Sequence, residues 1–111
     1  NLRCTFECDE PAPIFDNVSA THLYRIAQES VSNASRHGKA KNVAIRLSAT
    51  PREVSLSIAD DGVGIPLQLT RAKGLGLGIM QYRARIIDAQ FSIAPQPHGG
   101  TLVRCYFAQA S

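Results

Sequence analysis

Asp60-Asp61-Gly62-Val63-Gly64-Ile65-Pro66 is the stretch on which the reading of this 111-residue chain turns. Two runs of strand character precede it. Asn42 to Ala49 sets Val43, Ile45 and Leu47 against Arg46 and Ser48, and Val54, Leu56 and Ile58 then alternate with Ser55 and Ser57. Strict alternation marks a strand with one buried face, and the intervening Thr50-Pro51-Arg52-Glu53 reads as a turn, so the pair forms an antiparallel hairpin. Asp60 keeps the parity of Val54 and Ile58, which points its carboxylate toward the inner face. A carboxylate there must be hydrogen-bonded or it destabilises the fold. Asp61 falls on the opposite face, a solvent-facing or supporting position.

Working outward, Leu67 to Lys73 is a short polar segment and Gly74-Leu75-Gly76-Leu77-Gly78 follows it. Gly78 to Ala89 reads as a helix with Ile79, Arg83, Ile86 and Ile87 placed to pack. Gln90 to Ala94 and Thr101 to Phe107 read as strands. Upstream, Leu2 to Cys8 alternates as a strand with one buried face, ended by Pro11 and Pro13. A longer helix runs from about Ala20 to His37, with Ser19 as N-cap and Gly38 as stop. Leu23, Ile26, Ala27, Val31 and Ala34 recur on it at helical spacing and face a sheet. These elements predict an α+β two-layer sandwich: a mixed, mostly antiparallel sheet with helices on one face.

The length fits one domain over residues 1–111. Apolar content of 44 % beside 19 % charged residues is that of a globular fold. No apolar run reaches the ~20 residues of a membrane span. Twelve Lys and Arg against nine Asp and Glu give a net charge of +3. The basic residues are scattered and lack the aromatic platforms of a nucleic-acid binder, so no nucleic-acid partner is expected; a polyanionic small ligand suits the pattern. Cys4, Cys8 and Cys105 match no zinc or redox spacing and are expected to be buried, reduced thiols of a cytosolic domain. The lack of an initiator Met suggests a piece of something larger.

Three groups of residues can carry chemistry. Asp60 can accept a hydrogen bond from the amino group of a base, with Gly62 and Gly64 letting the backbone approach the ring; Asp-Gly is equally a common turn pair. Glycine at every second position from Gly74 to Gly78 lets backbone amides wrap a phosphate, ahead of a helix N-terminus suited to anions. The run is neither a dinucleotide fingerprint nor a Walker A loop, and a flexible linker would look the same. Glu29 and Asn33 stack one turn apart on the long helix. Asn is a poor helix-interior residue, and its oxygen is a hard ligand suited to Mg²⁺; Glu29 could orient or deprotonate a nucleophile. A solvated helix face also accommodates both. Thr101, after Gly99-Gly100, could complete the base pocket or simply serve as a strand residue.

The order of these pieces is more specific than any one of them. Glu29-x-x-x-Asn33-x-x-Arg36-His37, Asp60-x-Gly62-x-Gly64, Gly74-x-Gly76-x-Gly78-Ile79-Met80 and Gly100-Thr101 together resemble the ATP-binding domain of bacterial sensor histidine kinases. That fold is shared with Hsp90-type chaperones, MutL-type repair ATPases and type II topoisomerases. The run Gly76 to Ala84 and the short segment Leu67 to Lys73 look like the nitrate-sensor and DesK-type subfamily, which has a short ATP lid. The resemblance implies ATP and Mg²⁺ as ligands. It implies Asn33 as the Mg²⁺ ligand, Glu29 near the γ-phosphate assisting the incoming histidine, and Asp60 on the adenine amino group. Gly62, Gly64 and Ile65 would shape the adenine pocket, and Arg36 and His37 would line the phosphate side. Gly74, Gly76, Leu77 and Gly78 would form the lid hinge and phosphate loop, with Met80 and Thr101 close to the nucleotide.

It further implies partners that this chain lacks. The phosphorylated histidine sits on a dimerising helical domain of the same protein, and the phosphate passes on to a response regulator. The isolated domain is expected to be monomeric, to bind ATP–Mg²⁺ and not to autophosphorylate. The full-length protein is expected to be a homodimer with this domain cytoplasmic, and anchoring of the whole in a membrane is compatible with the resemblance. An anti-sigma-type serine kinase and a regulatory ATP-binding module without phosphotransfer share much of the pattern.

Overall fold

The computed structural model describes residues 2–9, 16–64 and 76–108. The expected roles of Ile65, Gly74 and the Leu67 to Lys73 lid therefore lie outside the described residues. Strands β1 (Arg3–Cys8), β2 (Asn42–Ala49), β3 (Glu53–Asp60), β4 (Gln90–Pro95) and β5 (Thr101–Ala108) form a single sheet in the order β1-β2-β3-β5-β4. Helices α1 (Asn17–Arg36) and α2 (Leu77–Ile86) supply the second layer. Strand β1 runs parallel to β2, and every other pairing is antiparallel. The α+β sandwich is as expected.

The hairpin decides the register. Val43 faces Asp60, Ile45 faces Ile58 and Leu47 faces Leu56, and Thr50 Oγ1 closes the turn by accepting from the amides of Arg52 and Glu53. β5 continues the same rows, with Ile58 opposite Val103 and Leu56 opposite Cys105. Val43, Val54, Leu56, Ile58, Val103 and Cys105 are buried, together with Leu23, Ile26 and Ala34 of α1 and Leu77, Met80 and Ala84 of α2. Arg46, Ser57 and Arg104 alternate onto the other face, as a one-sided antiparallel sheet requires. Among the described residues, no helix is long and apolar enough to cross a membrane.

Several expectations need correction. α1 starts at Asn17, not Ala20, and its N-cap is Asp16, whose carboxylate accepts from the Ser19 amide at 3.0 Å. Both residues are good caps; Asp16 adds a negative charge at the positive end of the helix dipole, and Ser19 is buried in the first turn. That amide holds the Asp16 carboxyl below its usual pKa. Gly38 ends α1, but the left-handed backbone falls on Lys39 (φ 53°). α2 begins at Leu77 and turns only part of the expected face inward: Ile87 packs against the core and Arg83 is half-buried. Gly76 caps it in the left-handed conformation (φ 65°), which buries Leu77, Met80 and Ala84 and leaves Ile79 61 % exposed and Ile86 45 % exposed. It ends where Asp88 takes φ 54° and the Ala89 amide reaches back to the Ala84 carbonyl, a Schellman closure.

β1 does not bury a face. Cys4 is exposed and Phe6 is 61 % exposed, because α1 sits over the centre of the sheet and leaves this edge open. A groove of about 590 Å³ runs beside it, lined by Phe6, Leu23, Tyr24, Ala27, Val31 and Ile45 among others. The cysteines thus divide: Cys4 exposed, Cys8 half-buried, Cys105 buried. Burial pushes the Cys105 thiol up to about 11, so the attacking thiolate is scarce at neutral pH. A thiol reagent should label Cys4 first and Cys105 only on unfolding, read by mass spectrometry; equal rates at Cys4 and Cys105 in the native chain would contradict this packing.

Candidate nucleotide site

β3 delivers Asp60 to the helix-facing side of the sheet, as its parity dictates. One carboxylate oxygen, Oδ1, is committed to the fold: it accepts from the Gly62 amide at 2.9 Å and from the Thr101 amide at 3.3 Å. Oδ2 accepts no hydrogen bond among the described residues, and no buried side-chain oxygen or nitrogen among them lacks a partner, so Oδ2 remains open to solvent. Gln96 Nε2 donates to the Asp60 carbonyl at 2.8 Å. Asp60 is thus pinned at its main chain and one carboxylate oxygen, with the other left free.

Asp61 does the opposite work on the other face. Its Oδ1 accepts from the amides of Lys41 and Asn42, both at 2.9 Å, and its Oδ2 from Asn42 Nδ2 at 2.8 Å. These bonds, the Asn42 side chain foremost, lower its pKa from 3.8 to about 2. A carboxylate depressed on folding stabilises above its unfolded value and stops doing so as pH falls through the folded one. The Asp61 contribution is therefore complete above pH 3.8 and disappears between there and about pH 2. Asp61→Asn should flatten the acid dependence of unfolding in that window, measured by thermal melts; an unchanged pH profile would sink the clasp.

Close backbone approaches draw three segments together. A Cβ on residue 62 would run into the Gly38 carbonyl oxygen, and the Val63 amide donates to that same oxygen at 2.7 Å. Gly64 (φ 85°) lies against the Gly100 carbonyl, and Gly100 (φ 88°) leaves no room for a Cβ beside the Asp60 carbonyl. The loop after β3 is thereby bound on one side to the C-terminal end of α1 and on the other to the start of β5. Thr101 is 4 % exposed beside Asp60.

α1 carries the other expected group. Asn33 is 5 % exposed, and its carbonyl accepts from the amides of His37 and Gly38. Gly38 therefore links Asn33 to the loop that follows Asp60. Glu29, one turn back, is half-buried with Oε1 close against Gly76. Arg36 and His37 are exposed on the last turn and cap. α2 has no side-chain N-cap, and its first intrahelical bond runs from the Met80 amide to the Gly76 carbonyl. The amides of Leu77, Gly78 and Ile79 precede that bond and have no helical partner. Leu77 is buried and Gly78 exposed. Met80 is fully buried and meets Ser30 Oγ at 3.6 Å through its sulfur, so it sits in the core where α2 joins α1.

The residues missed from the sequence are Gly38 as a contact point and Gln96. Gly38 was legible only as a helix stop, and nothing in Pro95-Gln96-Pro97 signals a support for Asp60. Among the described residues no three acids, histidines or cysteines gather to hold a metal by themselves. The donor set fits an adenine nucleotide: one carboxylate oxygen without a partner among the described residues, backbone segments brought close by glycines, and amides without a helical partner at the start of α2.

Comparison with known proteins identifies the family. The chain belongs to the family of histidine kinase-, DNA gyrase B- and HSP90-like ATPases, whose profile matches residues 18–111. It is 31 % identical over 93 residues to the nitrate/nitrite sensor protein NarX of Escherichia coli (strain K12), covering 84 % of this chain and 16 % of that protein. It is 38 % identical over 82 residues to the sensor protein VraS of Staphylococcus saprophyticus, covering 74 % of this chain and 24 % of that one. The chain thus spans a quarter or less of these relatives. The ATP-binding domain of PrrB from Mycobacterium tuberculosis superposes with a TM-score of 0.70 at 24 % identity, over 82 % of this chain and 69 % of that one, a likeness of fold. The chain is a histidine-kinase-type ATP-binding catalytic domain, and its relatives include nitrate/nitrite sensor proteins, the type that the Gly76 to Ala84 run resembles.

Proposed function

We propose that the domain binds ATP together with Mg²⁺ and, within a larger sensor kinase, directs the γ-phosphoryl group to a histidine on a dimerising helical domain. The phosphate then passes to a response regulator aspartate. The observation that carries this reading is the state of Asp60: one oxygen tied to Gly62 and Thr101, the other with no hydrogen-bond partner among the described residues, beside backbone that closely packed glycines bring together. Asp60 Oδ2 accepts from the adenine amino group, while Gly62, Gly64 and Ile65 admit the ring and Thr101 closes one side. Asn33 would hold Mg²⁺ through its side-chain oxygen, and the ion would supply positive charge to offset that of the phosphates. Glu29 stands at the terminal-phosphate end and orients or deprotonates the histidine. Gly74, Gly76, Leu77 and Gly78 offer amides to the phosphates, with Arg36 and His37 on the same side. Met80 supports α2 from the core.

Catalysis of this kind is mostly positioning and charge stabilisation. The acceptor has to come from outside the chain, and α2 presents Ile79 and Tyr82, each 61 % exposed, with Ile86 one turn further, as an apolar stripe for it. The full-length protein is read as a homodimer, anchored in a membrane as a sensor.

The intact kinase given labelled ATP and Mg²⁺ should acquire phosphate on histidine, a linkage lost in acid. An acid-stable serine linkage would favour the anti-sigma-type alternative, and Mg-ATP binding without any transfer would favour a regulatory module. The isolated domain should bind without labelling itself.

Gly78 gives a separate check. A Cβ there meets nothing within 4 Å, so packing does not require glycine at this helical position. Gly78→Ala should raise stability by about 0.5–1 kcal/mol through helix propensity. It should also weaken ATP binding, because a methyl group intrudes on the phosphate amides. Unchanged affinity by calorimetry would remove Gly78 from the phosphate loop.

A further inference from the structure

Glu29 has two neighbours that the nucleotide does not use. A cavity of about 300 Å³ opens between α1 and α2, lined by Arg25, Gln28, Glu29, Ile79, Met80 and Arg83. Both guanidinium groups have side-chain partners. Arg83 Nη1 lies 3.1 Å from His22 Nδ1; a guanidinium only donates, so this contact is a hydrogen bond in the tautomer whose Nδ1 accepts. Arg25 Nη1 donates to Gln28 Oε1 at 3.0 Å, and Gln28 in turn donates to the Tyr24 hydroxyl at 3.1 Å. Neither arginine pairs with a carboxylate: the ion pairs among the described residues belong to Arg46. Glu29 lines the same cavity, yet its Oε1 is turned against Gly76. The cavity therefore gathers two arginines and one carboxylate beside Ile79 and Met80, an excess of one positive charge, and neither arginine is within ion-pair distance of a carboxylate among the described residues.

Position along α1 says what they face. Gly38 touches the loop of the base end, Asn33 comes next, then Glu29, then Arg25. Four residues of helix advance about 6 Å, so Arg25 lies one step beyond the group assigned to the terminal phosphate. On the function proposed above, a phosphoacceptor reaching the terminal phosphate would pass this end of α1. The exposed Ile79, Tyr82 and Ile86 adjoin it on α2, a stripe suited to an amphipathic helix.

We infer that Arg25 and Arg83 form a receiving pocket for a carboxylate carried by the phosphoacceptor helix, which docks the acceptor in line with Glu29. This rests on the phosphotransfer function proposed above. Guanidinium groups recognise carboxylates through paired, directional hydrogen bonds, and fixing their orientation beforehand reduces the entropy lost on docking. The arginines are positioning residues: they place the acceptor and leave the nucleotide alone.

The test uses the intact kinase with Arg25→Glu and Arg83→Glu, measuring the initial rate of histidine phosphorylation at saturating Mg-ATP and ATP affinity in parallel. Each variant should transfer at least about tenfold more slowly with ATP affinity within about twofold of wild type, as expected for a charge pair outside the nucleotide site. Replacing one acidic residue of the acceptor helix by Lys should restore the rate of the Arg→Glu variant, a rescue that no general loosening of the fold would give. Arg25 is exposed, so Arg25→Glu carries the test if Arg83→Glu loosens the helix pair. Unchanged rates, ATP affinity falling in step with the rate, or no acidic position giving rescue would each overturn the pocket. A wild-type kinase that binds Mg-ATP but labels no histidine would instead overturn the function on which the pocket depends.

Discussion

Gly100→Ala should be the most damaging single methyl group that can be added to this domain. Gly100 combines φ 88° with backbone contact against the Asp60 carbonyl. The left-handed region is expensive for a residue with a Cβ, about 1–2 kcal/mol. Crowding a packed site adds roughly 1–3 kcal/mol, and here the obstacle is main chain, which cannot swing aside. A combined loss of about 2–5 kcal/mol is a large part of the ~5–15 kcal/mol available to a domain. For a domain of this size each kcal/mol lowers Tm by about 4–8 °C, so the melting temperature should fall by about 8 °C or more. Gly76→Ala provides the contrast. It also sits at positive φ, but the new Cβ would meet the carboxylate end of Glu29, which can rotate away. A Gly100→Ala protein that melts with wild type would mean that β5 does not start where the structure puts it.

Asp60→Asn should leave the fold nearly intact and remove most of the ATP affinity. Oδ1 accepts both the Gly62 and Thr101 amides, and an asparagine oxygen can take over both. The change falls on the other atom: an open acceptor becomes an NH₂ donor facing the adenine amino group. A hydrogen bond to a charged group contributes about 1.5–3 kcal/mol, and about 1.4 kcal/mol is tenfold in affinity. Losing it and gaining a donor–donor clash should weaken ATP binding by about 10- to 100-fold or more. Preference for adenine over guanine should shrink with it, because guanine carries a carbonyl where adenine carries the amino group. Binding by the variant at wild-type strength, or equal wild-type binding of ATP and GTP, would remove Asp60 from the base pocket.

What could be read from the residues beforehand followed local rules. Asp60 had to face inward because parity along a strand is strict, and Asp61 had to face away for the same reason. The hairpin followed from alternation across a short polar turn. Whether a strand's apolar face is actually covered is a non-local matter. Leu2 to Cys8 carries the right pattern, yet Phe6 is exposed because α1 is spent on the centre of the sheet. The inward face of a ten-residue helix is nearly as ambiguous. Ile79 and Ile86 were as plausible as Met80 and Ala84 until the left-handed Gly76 fixed where the helix begins. Ser19 was the expected cap and Asp16 takes that place in the structure; residue type alone does not locate a cap when good capping residues lie this close together. The support that Gln96 gives the Asp60 carbonyl left no mark in the sequence, since a side chain reaching 36 residues back obeys no period.

The account stands on one arrangement: Asp60 and Asn33 holding opposite ends of a single nucleotide, joined through Gly38 and the loop that begins at Gly62. Calorimetric titration of ATP and of adenosine, with and without Mg²⁺, into wild type, Asp60→Asn and Asn33→Ala tests it most directly. Asp60→Asn should weaken both ligands whether or not Mg²⁺ is present. Asn33→Ala should weaken only ATP in the presence of Mg²⁺ and leave adenosine untouched. Wild-type affinity for Mg-ATP in both variants would contradict the arrangement.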